Sequence, residues 1–155
     1  DVDRFYFLSV RQLNAAIEDI ELSDTIGIRH PQECLEYRLI TKIIERIGDH
    51  AVKIAVNTQR IDSAINPDNS IFKMAELAIN VFKSSIDSIA QEDLQTINKT
   101  VEEAKNISQF GVSLESQKLG NTGNVEISMI LESLRRIAEY SGDIAEASMN
   151  MNVKI

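Results

Sequence analysis

Glu45 and Asp49 stand four residues apart, and so do Glu139 and Asp143. On a helix this spacing sets both acids on one face, one turn from each other. Two like charges so placed repel and weaken the helix slightly. A hard or borderline cation bridging them would remove the repulsion and take carboxylate oxygens as ligands. The plainer alternative leaves the acids solvated or paired with nearby bases, Lys42 and Arg46 in the first case, Arg135 and Arg136 in the second.

Five helical segments must carry these acids, read from apolar periodicity near 3.6 residues. The first runs from Val2 to about Ile20, with Val10, Leu13 and Ile17 as inward candidates. The second starts at Pro31 and continues to about Ile61, with an apolar stripe of Ile40, Ile44, Ile47, Ala51 and Ile54. Asn66-Pro67-Asp68-Asn69 breaks the chain before a third helix from Ser70 to Ala90, with Met74, Leu77, Ala78, Val81 and Ile86. Glu92-Asp93 separates it from a fourth, about Leu94 to Leu119, which ends in the turn Gly120-Asn121-Thr122-Gly123. The last spans Val125 to about Met151, with Ile130, Leu134, Ile137, Ala138 and Ile144 facing in. Short connections make consecutive helices antiparallel, and no period-2 run of useful length supports a sheet.

The two acidic motifs belong to a repeat. A shift of 94 positions lays Glu45-Arg46-Ile47-Gly48-Asp49-His50-Ala51 over Glu139-Tyr140-Ser141-Gly142-Asp143-Ile144-Ala145. Ile43 then falls on Ile137 and Ile40 on Leu134, so the core phase is kept. A mid-helix glycine costs about 0.5–1 kcal/mol relative to alanine. Gly48 and Gly142 at matched places therefore ask for a reason. Close approach of a neighbouring helix and room for an ion beside the carboxylates both qualify.

Composition removes several classes of function. The 155 residues carry a net charge of −8, which argues against binding bare nucleic-acid backbone. A single cysteine, Cys34, excludes an intrachain disulfide and is expected as a small buried residue. No His/Cys cluster supports a zinc or iron–sulfur site. No stretch has the roughly 18 consecutive apolar residues of a membrane span, and no secretory signal is present, so a cytoplasmic location is expected. The chain opens on Asp1-Val2-Asp3 within a helical pattern and reads as a piece lacking at least one preceding helix.

Glu45-Arg46-Ile47-Gly48-Asp49-His50-Ala51 resembles the motif of PhoU proteins, regulators of phosphate uptake. Asp1 to Leu8 resembles the helix that precedes this motif, and Arg136 to Asn150 resembles the second copy, in the manner of an archaeal-like, N-terminally truncated member. The resemblance implies an all-α fold of tandem antiparallel three-helix bundles. Residues 1–64 would form a partial first repeat holding helices two and three, and residues 65–155 a complete second repeat. It further implies metal ligands on the second and third helices of each repeat. Residue by residue these are Asp3, Glu45 and Asp49 in the first, and Glu102, Asn106, Glu139 and Asp143 in the second. Asn106 departs from the acid of the pattern, and an amide is the weaker ligand. Fe, Mg, Mn, Zn or Ca would suit such oxygen-rich sites. The implied partners are a phosphate ABC transporter ATPase or a sensor kinase, with no direct nucleic-acid contact from this segment. Self-association is expected through the apolar groove that a missing helix would expose.

His50 points about 100° away from Asp49 and reads as a flanking residue, and His30 reads as a loop residue before Pro31. Phe5, Tyr6, Phe7 and Tyr37 are expected in core packing, with Tyr6 or Phe7 left exposed. Met74, Met129, Met149 and Met151 read as core filler or partner contacts, and Ile20 to Asp24 as an acidic helix end and loop. A di-metal carboxylate enzyme would carry Glu-x-x-His pairs, and none occurs, so a non-enzymatic regulator is the preferred reading. The alternatives are a metal-free helical scaffold and the C-terminal effector region of a transcriptional regulator.

Overall fold

A computed structural model describes residues 1–62, 68–90, 93–121 and 124–152, with side chains described throughout except at 118–121. Six helices and no strand occur among them. They are α1 (Val2–Glu18), α2 (Ile20–Thr25), α3 (Glu33–Arg60), α4 (Asn69–Ser88), α5 (Leu94–Asn121) and α6 (Val125–Asn152). The all-α expectation therefore holds. The turn residues Asn66, Pro67, Glu92, Thr122 and Gly123, and the boundary between 64 and 65, lie outside the described residues.

Helix starts follow local chemistry. Asp68 accepts a hydrogen bond from the Ser70 amide at 2.6 Å and caps α4. Asn124 does the same for α6 through the Ile127 amide at 2.9 Å. Pro31 precedes α3 by a turn instead of opening it, the Cys34 amide bonding back to the Pro31 carbonyl at 3.2 Å.

One element was not expected. The acidic stretch after α1 is itself a short helix, α2. Asp19 leaves the helical region (φ −126°, ψ 106°), ending α1, and its carboxylate then accepts from the Leu22 amide at 3.1 Å, starting α2. Gly27 closes α2 in the left-handed region (φ 78°), while the Ile28 amide reaches back to the Ser23 carbonyl at 2.9 Å.

Helix α6 is the hub. It packs against α3, α4 and α5, while α1 packs on α3 and α2. One core joins Ile40, Ile43 and Ile47 of α3 to Met74, Ala78 and Val81 of α4, Ile107 and Leu114 of α5, and Leu131, Leu134, Ile137 and Ile144 of α6. A smaller cluster of Leu13, Ala16, Ile28 and Cys34 pins the end of α1 and the loop after α2 to the start of α3. Cys34 is thus the buried small residue expected.

The inward stripe holds fully on α6, where Ile130, Leu134, Ile137, Ala138 and Ile144 are all buried. It holds less well on α1 and α3. Ile17 is 51% exposed, Val10 is half-buried, and Ala51 is exposed. Phe5 and Phe7 are 67% and 64% exposed, which corrects the expectation of core packing for Phe5, while Tyr6 and Tyr37 are half-buried. The reason is the number of neighbours. Among the described elements α1 meets only α2 and α3, so just one stripe of it is covered, and the flanking aromatics stay in solvent. On α4 Ile86 is likewise exposed, at 36%.

Candidate metal centre and its counterpart in the second half

Asp3 near the start of α1 meets Glu45 and Asp49 in the middle of α3. The three carboxylates offer oxygens that all lie within 4.8 Å of one another. Glu45 is half-buried, and Asp3 and Asp49 are exposed. Gly48, one residue from Asp49, faces α1, and a Cβ built on it would stand 3.4 Å from a Val2 methyl. The approach of α1 therefore leaves room for a methyl and does not by itself call for glycine. The contact is still an ordinary one, so Gly48→Ala should stabilise the protein by about 0.5–1 kcal/mol in urea unfolding. At Gly142 the added Cβ would meet the Ala104 Cβ at 3.2 Å, and the same change should lose that gain to crowding between α5 and α6.

The charge around the first set is unbalanced. Lys42 bonds Glu45 at 2.5 Å and lies over the Tyr6 ring, 5.0 Å from its centroid. Its ammonium is held in the charged form first by that bond to Glu45. Asp3 and Asp49 have no ion pair among the described residues. Arg46 is turned away, 5.9 Å over the Tyr140 ring on α6. One lysine therefore faces three carboxylates.

His50 packs beside Tyr140, with ring centroids 5.8 Å apart, and does not join the carboxylate group. Burial, then the nearby Lys53, lowers its pKa, so it is neutral at neutral pH. His30 is exposed in the loop before α3, as expected.

The second half answers the same motif differently. Glu139 on α6 accepts from Ser108 of α5 at 2.8 Å, from Arg135 at 2.6 Å and from Arg136 at 3.1 Å. Arg135 also bonds Glu115 of α5 at 3.2 Å. Burial alone would raise the Glu139 pKa, but the Ser108 hydroxyl and the two arginines outweigh it and leave the carboxyl below its ordinary value. Asp143 is exposed at its edge, yet desolvation pushes its carboxyl up, with Glu146 and Glu139 adding to the effect and Arg46 opposing. Glu102 and Asn106 are exposed on α5. Among the described residues no second group of three carboxylate, imidazole or thiol ligands forms.

The arginines near Glu139 were legible as i,i+4 and i,i+3 partners. Ser108 and Glu115 were not, because they reach Arg135 and Glu139 only through the packing of α5 on α6.

The sequence matches the PhoU domain over residues 1–58 and 71–148. The chain belongs to the PhoU family. The two matched segments hold one acid-bearing motif each, so the repeat read from Glu45 and Glu139 lies within them. Neither the curated proteins nor the solved structures gave a significant match. PhoU membership points to a role in regulating phosphate transport, in a family that is regulatory and not enzymatic. Among the described residues no helix is long and apolar enough to cross a membrane.

Proposed function

We propose that this PhoU chain is a cytoplasmic regulator of phosphate uptake that works through contacts with a phosphate ABC transporter ATPase or a sensor kinase, and that it carries a metal ion at Asp3, Glu45 and Asp49. The observation behind the metal is the convergence of three carboxylates from two helices, with one lysine to balance them. Oxygen atoms up to 4.8 Å apart suit neighbouring and opposite positions around one cation. The donor set is all oxygen, which fits Mg, Mn, Ca or Fe better than a thiolate-loving metal. A bound cation would cancel the repulsion among the acids and tie α1 to α3.

The second set of Glu102, Asn106, Glu139 and Asp143 would accept an ion only after Arg135 and Arg136 release Glu139. First binding is therefore assigned to the α1–α3 set. Elemental analysis of the purified chain beside a Glu45→Gln/Asp49→Asn variant tests this. One stoichiometric metal is expected in the parent and none in the variant. In a thermal melt, saturating metal should stabilise the parent alone, by about 2.7 kcal/mol at a hundredfold excess over Kd. A parent that neither retains nor gains metal removes the ion from the proposal and leaves these acids as partner contacts.

A further inference from the structure

Among the described residues Lys42 is the one base paired with Asp3, Glu45 or Asp49. Its Nζ donates to Glu45 Oε2 at 2.5 Å and lies 5.0 Å from the centroid of the Tyr6 ring. The carboxylate and the aromatic face both favour a positive charge at that place. Glu45 belongs to α3 and Tyr6 to α1, so the ammonium already ties the two helices that a bound ion would tie. The two partners differ in freedom. The Lys42 side chain is 39% exposed and that of Glu45 only 14%. A lysine head sits on a flexible four-carbon stem, so it swings into water while the carboxylate stays.

The repeat gives this pair a counterpart. A shift of 94 positions lays Lys42 on Arg136 and Glu45 on Glu139. In both halves the base bonds the glutamate three residues on. In the second half that base is an arginine, and Arg135 adds a second guanidinium where α3 has Thr41. A guanidinium holds a carboxylate through a rigid planar fork, whereas an ammonium is a point charge on a loose stem. One half thus carries a firm closure and the other a releasable one. Charge says what releases it. Three carboxylates less one ammonium leave two negative charges, which one divalent cation neutralises. A monovalent ion brings no more charge than the ammonium it would displace. We propose that Lys42 is a built-in stand-in cation: it occupies Glu45 in the ion-free chain, and a divalent cation enters by exchange, the Lys42 Nζ leaving Glu45 Oε2 for water. The exchange rests on the metal reading above and adds to it the residue that sets the affinity.

Titration calorimetry of the chain with Mn²⁺, at fixed pH and ionic strength, tests it, with circular dichroism confirming that each variant keeps its helices. Lys42→Met keeps the apolar stem, removes the charge and should bind Mn²⁺ about tenfold tighter than the parent. Lys42→Arg keeps the charge, grips the carboxylate with a fork and should bind about threefold more weakly, the scale of one part-exposed ion pair. Long-range repulsion without exchange would leave Lys42→Arg equal to the parent. A Lys42→Met chain that binds no tighter than the parent, or a Lys42→Arg chain that binds as tightly, overturns the exchange and leaves the ion site standing. Mn²⁺ that binds none of the three chains overturns the site and the exchange together. A silent parent beside a binding Lys42→Met chain supports the exchange, since the lysine then holds the ion out. The arginine arm is read even if Lys42→Met fails to fold.

Discussion

Ile144→Ala is expected to lower the free energy of unfolding by about 2–5 kcal/mol, read from the urea midpoint with an unchanged slope. Ile144 is fully buried in the C-terminal half of α6, the helix that touches three others. Its loss removes transfer energy and leaves a hole that three packed helices cannot close together. The repeat places His50 at the matching position of α3. There the side chain is half-buried against Tyr140, and its Nδ1 is buried without a hydrogen-bond partner among the described residues. His50→Ala should therefore cost within about 1 kcal/mol, since removing an unsatisfied polar group offsets some lost contact. Equal costs at the two positions would mean that the two halves share their core more evenly than the burial shows.

Arg135→Ala is expected to cost about 2–3 kcal/mol, less than the ~3–5 kcal/mol of a fully buried pair because Glu139 keeps partial contact with water. The change leaves Glu115 and Glu139 without their shared guanidinium, although Arg136 still reaches Glu139. The pH dependence separates this from lost packing. A carboxyl whose folded pKa lies below its unfolded one adds stability above the unfolded value, and that stability is lost as pH falls through the folded value. Glu139 is such a group. The parent should lose stability across the acidic range below the ordinary glutamate pKa, and Arg135→Ala should flatten that loss. A variant with the parent's pH slope would show that Arg135 acts through its alkyl stem.

What the sequence determined by itself is local. Periodicity placed the long helices within about two residues, because each apolar stripe is written in its own segment. The repeat and the acid spacing were legible for the same reason: Glu45 and Asp49 share a face by helix geometry alone. The likeness to PhoU extended this to Asp3, and the structure brings all three acids together. The break at Asp19 was harder to see, since an aspartate can end one helix and cap the next only where the backbone turns extended.

Tertiary packing decided the rest. Two matched acidic motifs became different objects: one an open group of carboxylates, the other a clasp closed by Arg135, Ser108 and Glu115. Part of the difference is local, since Arg135 of α6 falls on Thr41 of α3 and only Glu139 has an arginine four residues before it; the rest arises from the facing helix, which supplies Asp3 in the first half and Ser108 in the second. Exposure followed the same rule. Equivalent stripes on α3 and α6 are covered to different extents because α6 has three helical neighbours and α3 has two. A helix writes its apolar face in its own sequence, but which faces find a partner depends on where every other helix goes.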